Sequence, residues 1–161
     1  MAPRLASTFS AKTTFPRTAL PPLTIALLPE PLSICRLAPE AAVPVWALAA
    51  PFCTVTRTRA ELSVICASRR VPAAGLADGL VSHGWRALML VGPFDLADVG
   101  VLLRVAAPLA AAGVSVVPVA TYDSDYVLVR APQLATALDA LRAVGHVVQP
   151  EEGRSSDSTA A

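Results

Sequence analysis

Two short polar segments hold the residues of this 161-residue chain that are equipped for chemistry. Thr121-Tyr122-Asp123-Ser124-Asp125 sets two carboxylates, two hydroxyls and a phenol between β-prone runs, Val114 to Ala120 and Tyr126 to Val129. It therefore reads as the bend of a hairpin. Gly92-Pro93-Phe94-Asp95 opens a helical apolar pattern. A helix start offers unpaired N–H groups and a partial positive charge, suited to a carboxylate. If the two segments meet, they form a small-molecule site and not a catalytic one. Asp123 and Asp125 have no His or Lys placed beside them as base or acid, so no nucleophile there is activated. A small enzyme is the weaker alternative, and so is a dimerisation module whose loops bind nothing.

Composition narrows the classes further. The net charge is +1 and charged residues make up 16% of the chain, so no basic field exists to hold a nucleic acid backbone. Cys35, Cys53 and Cys66 are far apart in sequence and lie in apolar or β-prone contexts, as reduced core residues do. His83 and His146 are remote from them, so neither a metal nor another cofactor is expected. Val99 to Ala120 has the length of a spanning helix, but Arg104, Pro108, Gly113 and Ser115 interrupt it, and it reads as a helix followed by a strand in a protein without a membrane segment. Residues 1–20 are rich in Ser and Thr and carry no acid, a composition shared by transit segments and by plain disordered extensions. A disordered extension over 1–20 is expected. The polar tail, 150–161, is expected to be disordered.

The elements that must position the two loops follow from periodicity. Trp85 to Val91 is a buried strand. Val99, Leu102, Leu103, Ala106, Leu109 and Ala110 mark a helix face, with Asp95 as N-cap and Gly113 as terminator. Pro108 inside that helix predicts a kink or a loosened last turn. Val114 to Ala120 is an edge strand because Pro118 interrupts it, and Tyr126 to Arg130 is the next strand. Pro132 opens a second helix with the stripe Leu134, Leu138 and Leu141, ended by Gly145, and His146 to Gln149 is a last short strand. This βαββαβ order predicts a four-stranded antiparallel sheet with both helices on one face, an α+β ferredoxin-like arrangement. Upstream, Leu23 to Leu28, Leu32 to Leu37, Phe52 to Thr56 and Leu62 to Cys66 read as strands. Pro39, Pro44 and Pro51 limit the segment around Trp46 to one helical turn.

These motifs, in this order, resemble the ACT domain. The resemblance is carried by Gly92-Pro93-Phe94-Asp95, Gly100, Ala107-Pro108-Leu109-Ala110, Gly113-Val114-Ser115 and Thr121 to Asp125. More narrowly, the resemblance is to the small ACT proteins related to the regulatory part of aspartate kinase and to the cytosolic arginine sensors. It implies an ACT domain over 85–149 and a degenerate ACT-like lobe over 21–84 that lacks the long helix of a full unit. It also implies a non-catalytic, cytoplasmic regulatory protein that binds an amino acid or related metabolite and acts as a homodimer or on a partner protein. By the same resemblance the effector site lies near Asp95 to Val101. Gly100 would admit a ligand close to the backbone, and Asp98 and Asp125 would take an ammonium or cationic group. Positions similar to Asp98, Thr121, Tyr122 and Asp125 lie at the ligand in the arginine sensors. The residues themselves leave other roles open: Asp95 as a helix cap, Asp123 and Asp125 as turn formers.

Overall fold

A computed structural model describes residues 21–76 and 79–150. The expectations of disorder at the two ends fall outside these residues. Eight strands, β1 (Thr24–Leu27), β2 (Leu32–Leu37), β3 (Cys53–Arg57), β4 (Leu62–Ala67), β5 (Leu80–Leu90), β6 (Val116–Ala120), β7 (Asp125–Arg130) and β8 (Val147–Pro150), form one sheet. Among the described residues three α-helices accompany them: α1 (Val45–Leu48), α2 (Val101–Ala111) and α3 (Leu134–Ala143).

The 11-residue strand β5 is the spine. Along one edge it pairs antiparallel with β2 through Leu80 to Trp85, then with β1 through Leu88 to Leu90. Its other edge pairs with β7, and β7 with β6. β4 and then β3 extend the sheet beyond β2, and β8 lies outside β1. β6 is an edge strand, as Pro118 requires.

The expected α+β architecture with both helices over one sheet is present, with one correction. The C-terminal sheet has five strands in the order β8-β1-β5-β7-β6, because β1 enters between β5 and β8, and β8 runs parallel to β1. Leu23 and Ile25 fill the core under the helices together with Leu88, Leu90, Val127, Val129, Val105, Leu109 and Leu141. A strand this apolar and so nearly free of solvent is stable only with neighbours on both edges. His146 secures the insertion. Its Nδ1 accepts the Leu23 N–H at 3.0 Å, which leaves the proton on Nε2, 3.0 Å from the Arg104 carbonyl. That carbonyl is the one whose helical partner Pro108 lacks, so α2 reaches Ala111 without a terminal break.

The expected boundary at 84/85 falls inside β5, at a bulge. Three steps along β5 (Ser82 to Trp85) oppose two along β2 (Leu32 to Ile34), and Gly84 takes up the extra residue at φ +79°. Only glycine adopts that conformation without strain. The bulge re-aims the side chains, so Ser82 and Trp85 share a face and the Trp85 Nε1–H donates to Ser82 Oγ at 3.1 Å. The N-terminal strands thereby turn back over the sheet face opposite α2 and α3. Leu32, Ile34, Phe52 and Ile65 pack there against Trp85, Ala87, Tyr126 and Leu128, with the Phe52 and Tyr126 rings 5.0 Å apart, edge to face. The outer face of β2, β4 and β3 is closed by α1 and its flanks, with Cys35, Ala47, Leu62, Val64 and Cys66 buried.

Candidate functional site

β5 delivers the chain to Gly92-Pro93 and the loop that precedes α2, while β6 and β7 deliver the bend 121–124 beside it. One hydrogen bond joins the two loops: the Phe94 N–H donates to the Asp123 carbonyl at 3.1 Å. A Cβ on Gly92 would lie 2.3 Å from that same oxygen, so this crossing requires a residue without a side chain. The join closes one end of a cleft of about 250 Å³ lined by 94–96, Asp98, 100–103 and 120–125. Asp95, Asp98, Gly100, Val101, Thr121, Tyr122 and Asp125, singled out from the sequence, all line it.

Their local roles differ from those expected. Asp95 does not cap α2. The helix begins at Val101 behind Gly100, which stands at φ +80°, and no side chain caps it. Asp95 instead folds a turn of its own: its Oδ1 accepts the Ala97 N–H at 2.8 Å, and its own N–H donates to Asp98 Oδ2 at 3.0 Å. Both carboxylates are thus partly spent on the loop backbone. Two polar residues separated by a short loop satisfy each other before either reaches a helix start. The same shift takes Val99 out of the helix, where it is 93% exposed, and makes Val101, Val105 and Leu109 the buried stripe. Leu103, expected on the buried face, lies at the cleft and is 42% exposed.

In the bend, Thr121 is committed to structure. Its N–H and its hydroxyl both donate to the Ser124 carbonyl, at 2.9 and 2.6 Å, and its Oγ1 accepts the Ser124 N–H at 3.3 Å. Tyr122 projects outward, 78% exposed. Asp125 is half-buried at the first position of β7, level with Leu90 and Ala120. Among the described residues, nothing in the protein bonds to the carboxylates of Asp123 and Asp125. These two, with the uncapped start of α2, are the groups left for a ligand.

The sequence reading missed Phe94, Leu96, Leu102 and Leu103 as lining residues. For Phe94 and Leu96 the signal was available, since they are apolar residues in the loop before α2. Electrostatically the cleft is one-sided: Asp95, Asp98, Asp123 and Asp125 line it and no basic side chain does.

Both histidines tie strands together. His83 Nδ1 lies 2.8 Å from the hydroxyl of buried Ser33, which also bonds Ser68 at 2.8 Å. No group of three His, Cys, Asp or Glu among the described residues is placed to hold a metal ion. Among those residues no helix is long and apolar enough to cross a membrane. The apolar stretch 99–120 is the helix α2 followed by the strand β6.

Comparison with known proteins agrees with this architecture. Residues 80–143 match the model of the ACT domain, and residues 30–74 match a model of an N-terminal domain family. A protein of known structure from Agrobacterium tumefaciens is 33% identical, with a TM-score of 0.75 over 83% of this chain and 97% of its own. A Vibrio cholerae protein of unknown function is 22% identical, with a TM-score of 0.59 over 73% of this chain and 85% of its own. The regulatory subunit of aspartate kinase from Thermus thermophilus shares the fold at 12% identity, with a TM-score of 0.54 over 76% of this chain and 97% of its own. No curated protein sequence matches the chain. The ACT model spans the residues that build the cleft, from β5 through α2 and the β6–β7 bend into α3, and on that match the chain belongs to the ACT-domain proteins.

Proposed function

We propose that the protein is a non-catalytic cytoplasmic regulator that binds a free amino acid or a close metabolite in the cleft between the α2 loop and the β6–β7 bend, and passes occupancy to a second copy of itself or to a regulated protein. The observation that carries this reading is the convergence of the two loops on one cleft of amino-acid scale. Its volume lies just under the roughly 300–1,000 Å³ of drug-sized pockets, so it suits one small molecule and not a nucleotide.

The chemistry assigns the ends of the ligand. The N–H groups at the start of α2 take the α-carboxylate, and Asp125 takes the α-ammonium by a charge-assisted hydrogen bond. Asp98 and Asp123 add negative potential, which favours a cationic side chain and disfavours an acidic one. Gly100 and Val101 form the floor beside the helix start, and Thr121 holds the bend that presents Tyr122 as a wall. Leu96, Val99, Leu103 and Tyr122 leave an exposed apolar rim, the kind of surface through which a bound state is read by a partner.

A melting-temperature screen against the twenty amino acids tests this reading. A ligand at a hundredfold over its dissociation constant adds about 2.7 kcal/mol. Basic or neutral amino acids are expected to raise the melting temperature, aspartate and glutamate to leave it unchanged, and Asp125→Ala to abolish the shift while the unliganded variant melts as the parent does. Silence across the whole set would leave a structural module in place of a sensor. A ligand shift that survives Asp125→Ala would remove the site assignment.

A further inference from the structure

The three cysteines, distant in sequence, are gathered on one face of the N-terminal half. Cys53 and Cys66 are direct cross-strand partners in β3 and β4. Cys35, on β2, stands opposite Val64, one diagonal step from Cys66, and all three belong to the cluster beneath α1. Directly opposed residues of an antiparallel pair have Cα atoms about 4.5–5.5 Å apart, whereas diagonal neighbours are roughly 7–8 Å apart. Disulfides form at Cα separations of about 4.4–6.8 Å, so register alone selects one pairing of the three. Exposure selects the order of events, since Cys35 and Cys66 are fully buried and Cys53 is half-buried at the start of an edge strand.

We propose that Cys53 and Cys66 are a redox-active pair that closes to a cross-strand disulfide when the protein meets a peroxide. In the first step the Cys53 thiolate attacks one peroxide oxygen. An S–O bond forms, the O–O bond breaks, and the departing hydroxide takes up a proton as water, leaving a sulfenic acid on Cys53. In the second step the Cys66 sulfur loses its proton and attacks the Cys53 sulfur. The S–S bond forms, the S–O bond breaks, and the hydroxide released takes that proton as a second water. Two thiols lose two electrons and one peroxide is reduced to two waters. Burial pushes all three thiols up, Cys66 to about 11, so little thiolate is present at neutral pH and the first step is slow there and quickens as pH rises. Closure fastens the start of β3 to β4, one residue from Phe52 and its contact with Tyr126.

Tryptic mapping of the full-length protein tests this, because Arg17, Arg36, Arg57, Arg59 and Arg69 divide the chain so that each cysteine falls in its own peptide. After hydrogen peroxide and alkylation under denaturing conditions, the peptides 37–57 and 60–69 should appear joined with the loss of two hydrogens. Cys35 should remain alkylated, and dithiothreitol should restore the separate peptides. Cys53→Ser, a small change at a half-buried edge position, should abolish the cross-link and leave Cys66 open to alkylation. A Cys35–Cys66 link, a link between two chains, Cys53 over-oxidised beside a free Cys66, or three unmodified thiols would each overturn the proposal.

Discussion

The two halves of the sheet share β5 but are covered differently. Over the C-terminal half lie α2 and α3, each of ten or more residues, and the longer one starts beside a hairpin bend. Over the N-terminal half lies the four-residue α1, entered through Pro44 and without a side-chain cap. The depression there, lined by Arg36, Leu37, Ala38, Pro39, Ala60 and Leu80, measures about 150 Å³ and is occupied at its edge by the Arg36–Glu61 ion pair at 3.0 Å. Similar strand material thus gives a cleft in one half and a packed thiol cluster in the other. The difference lies in whether the chain between two strands can make a long helix, and Pro39, Pro44 and Pro51 prevent it in the first half.

Three perturbations probe that contrast, and the largest acts on the helix-covered core. Leu109 is fully buried between α2 and the sheet. Leu109→Ala should cost about 2–5 kcal/mol, seen as a lower urea midpoint, and should abolish any ligand-induced melting shift because α2 carries the cleft. Little change in midpoint would mean that α2 is not anchored as described.

Gly92→Ala comes next. The added Cβ must push the Asp123 carbonyl away, and a cost within the usual 0.5–3 kcal/mol of a point change is expected, confined to the loop junction. In ¹⁵N spectra the shifts should cluster at 92–95 and 121–125, with β3 and β4 unmoved. Shifts spread evenly over both halves would dissolve the distinction between them.

The smallest effect is invisible at neutral pH and belongs to the thiol cluster. Desolvation first, then the neighbouring Cys35 and Cys53, raise the Cys66 thiol from 9.0 to about 11. Below pH 9 the thiol is neutral in both folded and unfolded chains and its contribution is whole. Above that the unfolded chain ionises first, so the contribution declines as pH climbs through the folded value of about 11. Melting temperature followed between pH 8 and 11 should fall more steeply for the parent than for Cys66→Ala. Parallel curves would show that the cluster is open to water.

Much of the cleft was legible in the residues because its parts are local. The hairpin bend is written in Thr121 to Asp125, and the loop in Gly92 to Asp95. The resemblance of the two together supplied the expectation that they meet. The roles of Asp95 and Asp98 were not legible. Whether an aspartate caps a helix or folds its own turn depends on where the helix begins, and Gly100 places that start beyond both. The position of β1 was hidden for a related reason: Thr24 to Leu27 reads equally well as a strand of either half.

Alternation and punctuation in the sequence therefore determine which segments are strands and helices, and that polar loops fall at one end of them, since these depend on neighbours a few residues away. Only the tertiary structure decides that β1 joins the C-terminal sheet, that the N-terminal strands cover its open face, and that Cys53 faces Cys66. Each of those outcomes rests on hydrogen bonds and packing between distant parts of the chain, such as the bond from Leu23 to His146, 123 positions apart. No local pattern encodes a partner at that range.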